Sequence, residues 1–256
     1  MPLPPGSPLM GTPFIELSSV DSTNNYALAQ IHANLSRPGT CYFAHEQTSG
    51  KGQRGKSWVT GGGLNIMLSI VLKPDFLKPF QQFQLSASVA VATHGFFKSY
   101  ANETLRIKWP NDLYWGDQKL GGILIENIIT TKPGGANWDW AVVGIGININ
   151  QTNFAPDLKN PVSLKQITNK SFDQVALAKG LCMSIDHFYK MLMTKEARPI
   201  LEMYNKALYK KDEVVKLKKS NRVFPAIIKE VTSTGQLVVQ HSIEERFDFG
   251  EIEWLI

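Results

Sequence analysis

Between Leu105 and Ile149 four strand-like runs follow one another with little between them: Leu105–Trp109, Leu113–Trp115, Leu120–Ile129 and Trp140–Ile149. Asp117-Gln118 and Pro133-Gly134-Gly135 supply tight turns. Strands joined so briefly must pair antiparallel, because a parallel crossover consumes a dozen or more residues. The segment excludes alternating βαβ units and requires an antiparallel or mixed sheet.

The flanking sequence supplies helices and further strands. Phe14–Leu17, Cys41–Glu46 and Asn65–Leu72 read as strands. Asp21, Ser22 and Thr23 are candidate N-caps for a helix carrying Leu28, Ile31 and Leu35 at helical spacing. Phe80 to Tyr100 reads as a long helix with Phe80, Phe83, Ala87, Ala90, His94 and Phe97 on one face, and His94 there is a core or boundary histidine rather than a ligand. Ser171 is expected to cap a second long helix that turns Val175, Ala178, Cys182, Ile185, Tyr189 and Leu192 inward, with Pro199 blocking continuation. From Lys210 onward short β-rich runs separated by turn residues suggest a small barrel-like module. The expected organisation is a mobile, proline-rich leader at 1–13, a main domain at 14–209 and the small module at 210–256.

Composition narrows the function classes. With 43% hydrophobic and 19% charged residues the chain can fill a large core. Its formal charge of 27 − 22 = +5 suits an anionic ligand without specifying nucleic acid. Cys41 and Cys182 form no CxxC pair, which excludes a disulfide scaffold and a cysteine-rich zinc site. There is no signal-peptide pattern and no apolar run long enough to span a bilayer, so no membrane association is expected and the cytoplasm is the default compartment.

Four constellations could carry chemistry. Gly50-Lys51-Gly52-Gln53-Arg54-Gly55-Lys56 formally matches the dinucleotide fingerprint, but more glycine and then a strand follow it, where that fingerprint must open a helix. It reads better as a loop whose backbone N–H groups approach a phosphate while Lys51, Arg54 and Lys56 add charge; the alternative is a solvated basic loop. Lys108-Trp109-Pro110-Asn111-Asp112 crowds a lysine, an amide and a carboxylate at a strand end, either a phosphate-and-cation site or a polar turn. Lys119-Leu120-Gly121-Gly122 could aim an ammonium into a pocket or leave it in solvent. In Gly144-Ile145-Gly146-Ile147-Asn148 the alternating glycines bare one strand face for a flat ligand, or mark a bulge.

Taken in order, Ser22-Thr23-Asn24, EQTSGKGQRGKSW, IKWPNDLYW, KLGGILIE and VGIGININ resemble the motifs of the biotin protein ligase family, with Pro161-Val162-Ser163-Leu164 as a further matching segment. The resemblance runs from about Phe14 to the end. It implies an α+β fold: a mixed sheet with helices like that of class II aminoacyl-tRNA synthetases, plus a small C-terminal SH3-like β-barrel. It also implies a reaction in which biotin and ATP, with Mg²⁺, give biotinyl-5′-AMP, and the biotinyl group passes to a lysine on the biotin carboxyl carrier protein domain of a biotin-dependent carboxylase.

The same resemblance assigns roles. Ser22, Thr23 and Gln47, with Asn24, would hold the biotin ring system, and backbone at Gly122, Gly144 and Gly146 would line the pocket. Trp58 would pack near the adenine. Gly50, Lys51, Gly52, Gln53 and Arg54 would fold over the adenylate phosphate, and Lys119 would bind the biotin carboxylate and the reacting phosphate. Asn111, Asp112 and Asn148 would contact ATP or magnesium, with Asp112 as the metal ligand. The family loop usually reads G-R-G-R-x-G, so Lys51 and Gln53 depart from it; lysine loses the bidentate fork and Gln53 loses a charge.

Two other readings are a lipoate–protein ligase on the same core fold and a non-catalytic basic module that binds single-stranded nucleic acid with Trp58 and Trp115 stacking. Only about 13 residues precede the first expected core strand, too few for a helix-turn-helix reader, so no specific DNA binding is expected. Either a monomer or a homodimer fits the sequence.

Overall fold

The structure is a computed structural model and describes residues 9–255. Among the described residues twelve strands form two sheets. The larger takes β1 (Phe14–Leu17), β2 (Cys41–Ala44), β3 (Ile66–Leu72), β4 (Leu105–Lys108), β5 (Asp112–Trp115), β6 (Gln118–Lys132) and β7 (Gly135–Ile147) in the order β1-β2-β3-β7-β6-β5-β4. Only the β1–β2 pair is parallel, so the sheet is mixed, as the short turns require. The smaller sheet is antiparallel, in the order β11-β10-β9-β8-β12, from β8 (Val214–Lys219), β9 (Arg222–Val231), β10 (Leu237–Gln240), β11 (Glu244–Phe247) and β12 (Glu253–Leu255).

Strand alternation divides the large sheet into two faces. On β3, Ile66, Leu68, Ile70 and Leu72 join the main core, and on β7 Ala141, Val143, Ile145 and Ile147 do the same. Helices α2 (Gln82–Ala101) and α4 (Gln174–Met193) cover this face and pack on each other, with α5 (Ala197–Lys206) against α2. The opposite face carries Val71 and Val142, over which α1 (Thr23–His32) packs Ala27 and Ile31. A short helix, α3 (Leu164–Thr168), completes the set. Among the described residues no helix is long and apolar enough to cross a membrane.

Several local readings change. Leu35 lies beyond α1 and is exposed, because the helix stops at His32. Phe80 is exposed in a 3₁₀ turn ahead of α2 and does not share its buried face. Asp173, not Ser171, caps α4: its carboxylate accepts from the backbone N–H of Val175 and Ala176. Pro199 does not end a helix but sits in the first turn of α5, where a backbone N–H has no intrahelical partner to lose. His94 is buried and bonds the Leu105 carbonyl at 3.0 Å, a core role. Residues 1–8 of the expected leader lie outside the described residues, whereas Met10 is buried and its N–H donates to Asp186. Cys41 and Cys182, remote in sequence, meet as free buried thiols with sulfurs 3.4 Å apart.

Candidate active site

The face of the large sheet that α1 only partly covers holds the site. Registers place Met67, Gly146, Gly122, Asp112 and Lys108 in one row across β3, β7, β6, β5 and β4. Ser69, Gly144 and Leu124 form the next row. Lys119 is three residues from Gly122, an odd offset that would turn it to the other face of a regular strand. A bulge opposite Leu113/Tyr114 corrects this, and the Lys119 ammonium stands 2.7 Å from Asp112 Oδ2 on the site face.

At one end lies a dense cluster of hydroxyls and amides, with the Glu126 carboxylate at its edge. Gln47 Oε1 accepts from the Thr23 N–H at 2.7 Å and its hydroxyl at 3.0 Å. Ser69 Oγ is 2.8 Å from Thr23 Oγ1 and 2.6 Å from Asn24 Oδ1. The Asn24 amide donates to Glu126 at 2.7 Å and to the Leu124 carbonyl at 3.3 Å. Ser22 is buried at the N-cap of α1, yet its hydroxyl makes no capping bond, leaving a polar group beside the cluster.

The glycines are there because side chains already fill the space above them. A Cβ on Gly144 would come within 2.9 Å of Asn24 Cγ and Nδ2. A Cβ on Gly146 would come within 2.6–2.8 Å of the Trp58 indole, and one on Gly122 within 2.9 Å of Asp112 Oδ1. Trp58 thus lies over β7 at Gly146, its buried Nε1 without a hydrogen-bond partner among the described residues. The Lys119 ammonium is 5.9 Å from the Trp58 ring centroid. Asn24, Trp58, Asp112 and Lys119 therefore line one continuous strip of sheet, with Asn24 and Trp58 seated in the room its glycines leave.

The glycine-rich loop folds back over this strip. Gly50 and Trp58 pair through the Trp58 N–H to the Gly50 carbonyl, and Gly52 pairs with Lys56 at 2.6 Å. Gln53 to Lys56 closes a tight turn through left-handed Arg54 and Gly55, the Lys56 N–H donating to the Gln53 carbonyl at 3.2 Å. Lys51 reaches inward to Glu126 at 3.5 Å, while Arg54 turns outward and donates to the Gly250 carbonyl at 3.2 Å. Asn111 and Asn148 are buried and commit their amides to backbone: Asn111 to the Ile123 carbonyl, Asn148 to the Val162 carbonyl at 3.1 Å and the Lys119 carbonyl at 3.4 Å. They fix β5, the strip and the 160–163 segment relative to Lys119.

Sequence reasoning passed over two neighbours, Ser69 and Glu126, while Lys108 stands in the strand-end constellation that the sequence singled out. Ser69 is a lone hydroxyl in an apolar strand, on the same face as Met67 and Val71, and that position was the available signal. Glu126 shares a face with Gly122 and Leu124, two and four residues before it. Lys108 closes the row; burial pushes its ammonium down to about 8, with Asp112 opposing the shift and Lys119, Lys56 and Lys159 adding to it. It sits 4.6 Å from the Tyr114 ring centroid and 5.7 Å from that of Trp254.

Residues 16–148 match the model of the Biotin/lipoate A/B protein ligase family. The Paracoccus denitrificans Biotin--[acetyl-CoA-carboxylase] ligase is 31% identical over 72% of this chain and 76% of its own length. The Bifunctional ligase/repressor BirA of Salmonella typhimurium is 29% identical over 88% of this chain and 68% of its own, and that of Bacillus spizizenii is 30% identical over 75% and 58%. Among solved structures, the biotin protein ligase of Aquifex aeolicus in complex with biotin and ATP superposes with a TM-score of 0.79 at 24% identity, covering 94% of this chain and 98% of that one, which establishes the shared fold. With its family segment spanning the polar cluster, the basic loop, the lysine–aspartate pair and the bared glycine strand, the chain belongs to the biotin/lipoate A/B protein ligase family.

Proposed function

We propose that the chain joins biotin to ATP and transfers the biotinyl group, through biotinyl-5′-AMP, to a lysine of a carboxylase carrier domain. One observation carries this reading: a hydrogen-bonding cluster of hydroxyls and amides at Gly144 and a cationic end at Lys119 share one strip of sheet. A ligand with a compact polar ring system at one end and a carboxylate at the other fits that polarity. Lipoate carries an apolar dithiolane where the cluster offers hydroxyls and amides, so burying it there would leave polar groups unpaired.

The chemistry follows from charge. When the biotin carboxylate attacks the α-phosphorus of ATP, the C–O–P bond forms, the bond to the β-phosphate oxygen breaks and pyrophosphate leaves. Two anions approach in that step, so the Lys119 ammonium contributes most in the transition state. Lys108 and Lys56 add positive potential. In the second step the carrier lysine amine attacks the acyl carbon, an amide forms and AMP departs. The loop with Lys51 and Gln53 would exclude water from the labile anhydride between the steps.

Magnesium fits the site in one way. Among the described residues no three His, Cys, Asp or Glu side chains cluster. Asp112 holds Lys119 with one carboxylate oxygen, and the other would hold a cation whose remaining ligands are phosphate oxygens and water, the usual manner of Mg²⁺. When bound, the ion would neutralise phosphate charge. The test is pyrophosphate exchange into ATP with biotin and with lipoate: exchange driven by biotin alone supports the reading, and exchange driven by lipoate alone overturns the substrate assignment.

A further inference from the structure

We propose that Arg54 is a positioning residue that latches the glycine-rich loop to the small C-terminal sheet, so that retention of the acyl adenylate depends on that sheet. The inference rests on the ligase reading. Its starting point is a division of charge within one loop. Lys51 reaches inward to Glu126, whereas Arg54, three residues on, leaves the site. The backbone enforces this: Arg54 has φ +55° and Gly55 φ +75°, two left-handed residues in succession that throw the arginine side chain away from the sheet.

The receiving surface is shaped for it. Arg54 Nη1 donates to the Gly250 carbonyl at 3.2 Å, and its guanidinium carbon is 6.0 Å from the Phe249 ring centroid. A Cβ on Gly250 would sit 3.1 Å from both Cζ and Nη1, so the guanidinium occupies the space a side chain would take. Gly250 also has φ +92°, which disfavours any other residue.

The contact continues to the catalytic strip. Phe249 packs its ring against Trp109, centroids 6.1 Å apart, and Trp109 Nε1 donates to the Gly235 carbonyl at 2.9 Å. Trp109 opens the turn that delivers Asp112 to Lys119. Loop, small sheet and lysine–aspartate pair are thus joined by Arg54, Phe249 and Trp109. An arginine spent on a carbonyl and a ring face leaves the phosphate to Lys51, Lys56 and Lys119.

The test is a double-mutant cycle of Arg54→Ala and Phe249→Leu. The leucine keeps the bulk and removes the ring face at a half-exposed position, so the fold tolerates it. The readouts are the release rate of enzyme-bound adenylate in a single-turnover chase and the proteolysis of residues 50–63 in the ligand-free protein. Each variant should speed release about fivefold, the double variant no more than either, as expected for residues acting through one contact. Loop cleavage should rise equally in all three. Multiplication of the two effects to roughly 25-fold, or a rise in the KM for ATP in Arg54→Ala with Phe249→Leu unchanged, would make Arg54 a phosphate contact and overturn the latch. A wild-type protein that forms no adenylate would instead overturn the ligase reading; ligand-free cleavage then decides the latch alone, equal sensitivity of wild type and variants refuting it.

Discussion

Gly144→Ala should be among the most disruptive single-methyl additions in this chain. The new Cβ would stand within 2.9 Å of Asn24 Cγ and Nδ2. Asn24 is only 3% exposed and cannot swing into solvent. Its displacement threatens the 2.7 Å bond to Glu126 and the 2.6 Å contact with Ser69. Overpacking costs about 1–3 kcal/mol, and losing a hydrogen bond to a charged group costs about 1.5–3 kcal/mol. Alanine in a strand recovers roughly 0.5–1 kcal/mol relative to glycine. The net is about 2–3 kcal/mol, because the asparagine can keep part of its bonding by a small shift. For a chain of this size that lowers Tm by about 5–10 °C. Thermal unfolding by circular dichroism measures this, and calorimetry should show biotin affinity falling with it. Adding Asn24→Ala removes the obstructing atoms and should restore part of the Tm but none of the affinity. A Gly144→Ala protein that melts within a degree of wild type and binds biotin normally would refute the argument that this glycine exists to seat Asn24.

Two further outcomes follow from the same structure. Burial holds the His94 pKa below its ordinary value of 6.5, with the Leu105 carbonyl partly opposing the shift. The unfolded chain therefore binds the proton first as pH falls, so stability is complete above about 6.5 and declines below it; urea midpoints should show that decline, flattened in His94→Gln. Chelating Mg²⁺ should abolish biotin-dependent pyrophosphate exchange while leaving biotin binding measured without ATP within about twofold, since Asp112 serves the nucleotide end of the strip. Loss of binding on chelation would assign the cation to the biotin end.

What could be read in the sequence was what repeats or violates a local rule. Turn-linked strands forced the mixed sheet, and alternating Gly144 and Gly146 marked a strand face free of its own side chains, whose room Asn24 and Trp58 take. The Lys119 orientation was not legible, because it depends on a bulge between β5 and β6 that only pairing creates. Asp173 displaced Ser171 as a cap because both are acceptable caps and packing of α4 chose between them. Pro199 misled because a proline that breaks a helix interior is tolerated in a first turn. Ser69 and Glu126 belong to the site only through cross-strand neighbours, and Arg54 meets Gly250 across 196 residues. Contacts of that separation leave no local trace.

The most direct test of the central claim is single-turnover adenylate formation by Lys119→Ala at saturating biotin and ATP. Lys119 stands where carboxylate and α-phosphate converge in the proposed reaction, and its ammonium is held there by Asp112 at 2.7 Å. Removing one preorganised charge donor should slow the step by on the order of 10²-fold or more. Lys119→Arg should recover only part of the rate, because the planar fork is bulkier and aims differently. A folded Lys119→Ala protein that forms adenylate within about threefold of wild type, a change worth under roughly 0.7 kcal/mol, would contradict the account.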